Sequence, residues 1–174
     1  MTEPRIRAYL AMTADGFIAD ANGDVGWLEG FTADVGFQEF FDSVDVIVSG
    51  RKTYEQVLGF GEWPYAGKRV VVLSHSDVPS PGIAGVEFSS GGPAQLAARL
   101  RAEAKGDIWL LGGGDLVRRF LAAKAVDTLE LYVMPLLLGS GVPLFVDGGP
   151  EVRLELEQCA AYDQGMVALI YKVI

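Results

Sequence analysis

The chain has 174 residues, half of them apolar and 21% charged, and its 14 Lys and Arg against 23 Asp and Glu leave a net charge of −9. That balance fits one core-forming domain over residues 1–174 and excludes a disordered chain, and so acidic a surface argues against nucleic acid or an anionic membrane as a partner. A lone cysteine, Cys159, and a lone histidine, His75, exclude an intrachain disulfide, a cysteine-based zinc site and a His-rich metal site.

The predicted elements begin with a strand over Arg5 to Met12. Its apolar stretch is interrupted by Thr13 and Asp15 and is too short for a signal peptide. Ala33 to Ser43 predicts a helix, with Phe37, Phe40, Phe41 and Val44 at 3–4 spacing. Asp45 to Ser49 is a buried strand, followed by a short helix over Thr53 to Leu58. Arg69 to Ser74 is the next strand, the Pro/Gly-rich stretch Val78 to Gly85 a loop, and Val86 to Ser89 a brief strand. Pro93 opens a helix to about Ala104, since proline at a first helical position loses no hydrogen bond. Asp107 to Leu111 is a strand, Gly112-Gly113-Gly114 a turn, and Asp115 to Ala123 a helix. Strand–helix alternation of this kind predicts a parallel sheet with helices on both faces.

The last third differs. Thr128 to Met134 is a strand. The apolar stretch from Leu131 to Val146 is broken by Pro135, Gly139, Ser140, Gly141 and Pro143, so it does not reach the roughly 20 apolar residues of a membrane helix. Val152 to Gln158 alternates apolar and charged residues, the pattern of a sheet face half in water. Asp163-Gln164-Gly165 is a turn and Met166 to Ile174 a final strand, so this hairpin should add antiparallel strands at one edge. The expected architecture is a three-layer α/β domain with a mixed, mainly parallel sheet of about eight strands, in a soluble cytoplasmic protein.

Two segments offer backbone N–H groups to an anion. In Leu111-Gly112-Gly113-Gly114-Asp115-Leu116 a buried strand ends, three glycines let the backbone approach a ligand, and a helix begins whose N-terminus carries about half a positive charge. A tight turn alone would usually need one glycine. The segment matches neither G-x-G-x-x-G nor a P-loop. In Ser49-Gly50-Arg51-Lys52-Thr53-Tyr54-Glu55 two cations sit at a helix start, against the macrodipole; a bound phosphate accounts for them, and a solvated basic pair is the alternative. On neighbouring parallel strands the two loops would grip one dinucleotide at the carboxyl edge of the sheet.

Gly50-Arg51-Lys52-Thr53-Tyr54-Glu55 resembles the G-R-x-T-x-E segment of dihydrofolate reductases, and Gly112-Gly113-Gly114 is similar to their cofactor turn. Met12 to Ala19 and Leu138 to Phe145 resemble a different branch of that superfamily, the reductase domain of the bifunctional riboflavin-biosynthesis deaminase-reductase and its stand-alone relatives. The resemblance implies a dihydrofolate reductase-like fold, NADPH as cofactor and a homodimer, for which the apolar segment Leu136 to Val146 is a candidate interface. It implies Arg51 at the 2′-phosphate, helped by Ser74 and His75, Lys52 and Thr53 at the pyrophosphate, and Gly113 and Gly114 against the cofactor. Ala11 and Ile18 would flank the nicotinamide. Asp34, at the spacing before Gly50 of the pterin-binding carboxylate, is the candidate acid, with a helix-start acid as the alternative, and Trp27 is a candidate pocket wall. The implied reaction is hydride transfer to a heterocyclic or imine-type substrate, most like 5-amino-6-(5-phosphoribosylamino)uracil; a dihydrofolate reductase and a catalytically silent nucleotide-binding dimer are the alternatives. The chain departs from both parents. Met134-Pro135 stands where folate reductases carry a threonine, and no Lys or Arg lies between Arg7 and Arg51 to meet a substrate phosphate.

Overall fold

The computed structural model describes residues 3–75 and 82–174. Residues 78–81 of the expected loop lie outside that range. One sheet of eight strands organises the chain, in the order β5-β4-β3-β6-β1-β7-β10-β9. Its central strands are β1 (Ile6–Thr13), β3 (Val44–Gly50), β4 (Arg69–Leu73), β6 (Asp107–Gly112) and β7 (Thr128–Met134), with β5 (Val86–Ser89) at one edge. These strands all run parallel. Because helices cover both faces, the central strands carry continuous apolar runs, VIV, VVVL and IWLL, and their charged residues, Arg7, Asp107 and Glu130, gather at the end remote from the carboxyl edge. β9 (Leu154–Ala161) and β10 (Val167–Val173) then pair antiparallel at the other edge, as the sequence leads one to expect.

Helices α3 (Pro93–Glu103) and α4 (Gly114–Ala122) cover one face, burying Leu96, Leu100, Leu116, Val117 and Phe120 against Ile6, Ala8, Val48 and Leu110. Helices α1 (Phe37–Ser43) and α2 (Arg51–Leu58) cover the other, where Phe40 and Tyr54 join Tyr9, Ile47, Val72 and Trp109. Among the described residues no helix is long and apolar enough to cross a membrane.

Four features differ from the sequence expectation. Helix α1 starts at Phe37 and not at Ala33, because Gly36 at φ 76 caps it and breaks the run before it. Helix α2 starts two residues early, which puts Arg51 and Lys52 inside its first turn. β9 continues past Gln158 through Cys159, Ala160 and Ala161, each paired with β10, and Leu154 and Leu156 on it are 40% and 54% exposed, so no face of this edge strand is buried. A short ribbon of β2 (Phe17–Ala19) and β8 (Val142–Pro143) is additional to the expected strands.

Two polar devices fix loops around the sheet. Asp15 accepts hydrogen bonds from the Thr13 hydroxyl at 2.5 Å and the Gly139 amide at 2.8 Å, which draws the segment after β7 back towards β1. Gln164, at φ 63 in the β9–β10 turn, accepts from the amides of Thr32 and Ala33 at 2.8 and 3.1 Å and donates to the Gly30 carbonyl at 2.8 Å.

Candidate active site

The carboxyl ends of β1, β3, β4 and β6 open into a cleft of about 1040 Å³. In open parallel sheets this edge is where ligands bind, because the loops diverge there and the following helices start there. Both helices that start at this cleft lack a side-chain cap: Gly50 caps α2 and Gly113 caps α4, and neither offers an acceptor to the first amides. Unpaired helix-start amides favour a negative charge in front of them. Three cations line the same cleft, Arg51 and Lys52 in the first turn of α2 and Arg119 in the last turn of α4, together with the acid Asp115 in the first turn of α4. Arg51 is drawn to Glu55 at 2.7 Å, and Arg119 lies 3.5 Å from the exposed His75.

The three glycines have different reasons. Gly112 takes φ 127, open to glycine alone. At Gly114 an added Cβ would collide with the carbonyl oxygens of Leu144 and Pro143, the latter at 2.7 Å, so this glycine is required by the chain's own packing. At Gly113 a Cβ would meet only Ile18 Cδ1 at 3.6 Å and Thr53 Oγ1 at 3.7 Å, two cleft-lining side chains at ordinary contact distance.

Ala11, Ile18, Gly50, Arg51, Lys52, Thr53, Leu111, Gly112, Gly113, Gly114, Asp115 and Leu116 all line this one cleft. Four sequence candidates do not, the exposed His75 among them. Ser74 is buried just beyond β4, where its amide donates to Ser89 O at 2.9 Å. Trp27 lies in the single turn Gly26–Gly30, whose neighbours Val25 and Leu28 line the cleft in its place. Asp34 is exposed ahead of α1, its carboxylate accepting from the Gly36 amide at 2.9 Å. The shift of the helix start explains this: an acid read as part of the first helical turn lies in the loop before it. Asp34 is thus outside the cleft lining, next to Val35, which belongs to it.

Sequence reasoning missed the opposite end of the cleft, which Tyr9, Phe37, Tyr65, Trp109 and Tyr132 line. Tyr9 and Trp109 are buried in the middle of strands, and an apolar run carries no sign of which face its aromatics take. The phenols there resist ionisation. Burial, foremost, raises Tyr9 and Tyr132, and it pushes Tyr65 up to about 12, so all three stay protonated at neutral pH. Among the described residues no group of His, Cys, Asp and Glu is arranged to hold a metal ion.

The RibD C-terminal domain family matches residues 4–168. An uncharacterised protein of Bacillus subtilis, YwjB, is 35% identical over 161 residues, covering 91% of this chain and 92% of its own. A crystal structure described as a putative riboflavin biosynthesis protein of Shewanella sp. PV-4 superposes with a TM-score of 0.88 at 29% identity, over 98% of this chain and 99% of that one. A dihydrofolate reductase of Enterococcus faecalis complexed with NADP(H) superposes with a TM-score of 0.69 at 16% identity, over 98% and 97% of the two chains, and shares the fold.

Proposed function

The chain belongs to the RibD C-terminal domain family, and we propose from this that it is an NADPH-dependent reductase acting on the C=N or C=O bond of a heterocycle, with the reduction of 5-amino-6-(5-phosphoribosylamino)uracil as the nearest named reaction. The observation that carries the reading is that two helix starts without side-chain caps, after Gly50 and Gly113, open on one cleft that Arg51, Lys52 and Arg119 also line. Those residues fit a dinucleotide. The amides after Gly50 and Gly113 would hold the pyrophosphate, with Thr53 between them. Arg51 would take the 2′-phosphate, since a planar guanidinium pairs with phosphate by two parallel bonds. Ala11 and Ile18 would bracket the nicotinamide.

NADPH supplies the hydride when bound. The chain supplies orientation and an environment. Leu111, Ile18 and Met134 line the cleft with apolar side chains, which would exclude water from a reacting ring held there. Tyr132 pairs in register with Ala11 across β1 and β7, and its protonated phenol offers a neutral hydrogen-bond donor to the substrate's acceptor atom. Following nicotinamide absorbance with NADPH and NADH across candidate heterocycles, beside calorimetric titration of each cofactor, tests the reading. Micromolar NADPH binding with substrate-dependent oxidation supports it, and absence of NADPH binding overturns it.

We also infer a homodimer formed through residues 136–146. Leu144 is buried beneath α4, whereas Leu137 and Phe145 on the same segment are 73% and 55% exposed, an apolar surface that a second copy would cover. A cytoplasmic setting agrees with the exposed, unpaired Cys159.

A further inference from the structure

Two stretches far apart in the sequence, Thr13 to Ala19 after β1 and Leu136 to Leu144 after β7, meet to form one wall of the cleft. Backbone joins them at several levels. The Ala14 amide donates to Leu136 O at 3.0 Å and the Leu144 amide to Gly16 O at 2.9 Å. The β2–β8 ribbon then pairs Phe17 with Pro143 and Ala19 with Val142. Ile18, Ala19, Val142 and Pro143 line the cleft from this ribbon. Ile18 is the residue that counts most, because its Cδ1 lies 3.6 Å from where a Cβ would stand at Gly113. On the other side the Pro143 and Leu144 carbonyls pack so closely on Gly114 that only a glycine fits there.

One side chain bonds across this seam. Asp15 is exposed and does not line the cleft. Its Oδ1 accepts from the Thr13 hydroxyl at 2.5 Å and the Leu138 amide at 3.3 Å, and its Oδ2 accepts from the Gly139 amide at 2.8 Å. Thr13 is fully buried, and its hydroxyl oxygen accepts in turn from the Phe17 amide at 3.0 Å. One carboxylate thus ties the last residue of β1, the first residue of β2 and the loop after β7. The Thr13 hydroxyl, foremost, and the two amides hold this carboxyl below its ordinary range, so at neutral pH it is ionised and only accepts.

Closing the local turn does not require that carboxylate. Gly16 takes φ 87, and its amide reaches Thr13 O at 2.9 Å without it. Bonding to three donors from two directions does require two acceptor oxygens. A side-chain amide in the same place would set an NH2 group against one of the backbone N–H groups, donor facing donor.

We propose that Asp15 is a positioning residue: its carboxylate holds the β2–β8 ribbon as a fixed wall and through Ile18 sets the seat of the cofactor's nicotinamide half, which it does not touch. What occupies that seat rests on the reductase reading; that Asp15 holds the wall does not.

The test compares the full chain with Asp15→Asn and Asp15→Ala. Two ligands divide the cofactor. NADPH is followed by calorimetry and by the emission of its reduced nicotinamide, which rises where an apolar lining keeps water from the ring. Adenosine 2′,5′-bisphosphate lacks that ring. Amide hydrogen exchange at Phe17 and Leu144 in the free protein reads the ribbon itself. In both variants exchange at these amides is expected to quicken and NADPH to bind about tenfold more weakly with a smaller gain in emission, the scale of a lost hydrogen bond to a charged group, while affinity for the bisphosphate holds. Unchanged exchange would overturn the proposal. So would wild-type NADPH affinity and emission in the variants, or equal weakening of both ligands, which marks a general loss of structure. Should Asp15→Ala not fold, Asp15→Asn, of the same shape, carries the comparison. Absence of NADPH binding by the wild type strikes the reductase reading, and exchange alone then decides whether Asp15 holds the wall.

Discussion

Gly113 and Gly114 are neighbours with opposite tolerances. A methyl at Gly114 meets backbone carbonyls that cannot move aside, so Gly114→Ala is expected to cost about 1–3 kcal/mol and to lower the melting temperature. A side chain at Gly113 stands between Ile18 and Thr53 in the cleft. Gly113→Val should therefore melt near the wild type yet fail to bind NADPH by calorimetry; a variant that binds normally would show that the cofactor does not approach this backbone. Arg51 makes a second residue-scale prediction. Its ion pair with Glu55 is exposed on both sides, and such pairs contribute about 1 kcal/mol or less, so a phosphate competes for the guanidinium at little cost. Arg51→Ala should weaken NADPH by roughly tenfold to a hundredfold, the worth of a charge-assisted contact, and leave NADH nearly unchanged. Equal losses for both cofactors would remove Arg51 from the 2′-phosphate. The glycines and the basic pair were legible in the sequence because each breaks a local rule: too many glycines for one turn, and cations at the wrong end of a helix. Asp34 broke no rule, and its assignment rested on spacing alone. A single positive φ at Gly36 moved the helix start past it.

At the scale of elements, the end of the sheet remote from the cleft is tied by charge. Arg7 on β1 forms two bonds to the buried Glu130 on β7, at 2.6 and 2.8 Å, and a third to Asp107 on β6 at 3.0 Å. Removing one partner of a buried pair leaves the other charge stranded, so Arg7→Met is expected to cost about 3–5 kcal/mol. Asp107 gives the pH dependence. Burial works against its charge, but the bonds from Arg5 and Arg7 outweigh it and hold the carboxyl below its ordinary value. A depressed carboxylate stabilises the fold fully above the unfolded value of about 3.9, and that contribution is lost as pH falls through the lower folded value. Thermal melts taken from neutral to strongly acid pH should show wild type above Asp107→Asn at neutral pH and the two converging in acid; parallel curves would sever the link. The strands themselves were legible because a strand buried on both faces carries a run of consecutive apolar residues. The β2–β8 ribbon was not, since two or three residues give no period to read. The aromatic end of the cleft was hidden for a related reason: Tyr9, Trp109 and Tyr132 read as core, and only the strand order shows that they share a face and an opening.

For the molecule as a whole, the oligomeric state is directly measurable. Sedimentation at micromolar concentration should give twice the chain mass of 18.7 kDa, and Leu137→Asp with Phe145→Asp should return it to the monomer without lowering NADPH affinity. A wild-type monomer would leave that apolar segment without a second copy to cover it. Layer order and the antiparallel edge could be anticipated from the alternation of elements, whereas the contacts that close the cleft join residues too far apart in sequence to leave a local trace. Gln164 is the clearest of these. Its amide side chain bonds three backbone groups between Gly30 and Ala33, the stretch that leads to Val35 and Phe37 at the cleft mouth. During synthesis that mouth waits, unanchored, until Gln164 itself has been made. The central strand β1 likewise waits for β6 and β7 before it has a neighbour on either side, and pairings of such long range form slowly. A chain that stops before Gln164 therefore lacks these three anchors, and ordering of the cleft mouth becomes a late event in the making of the domain.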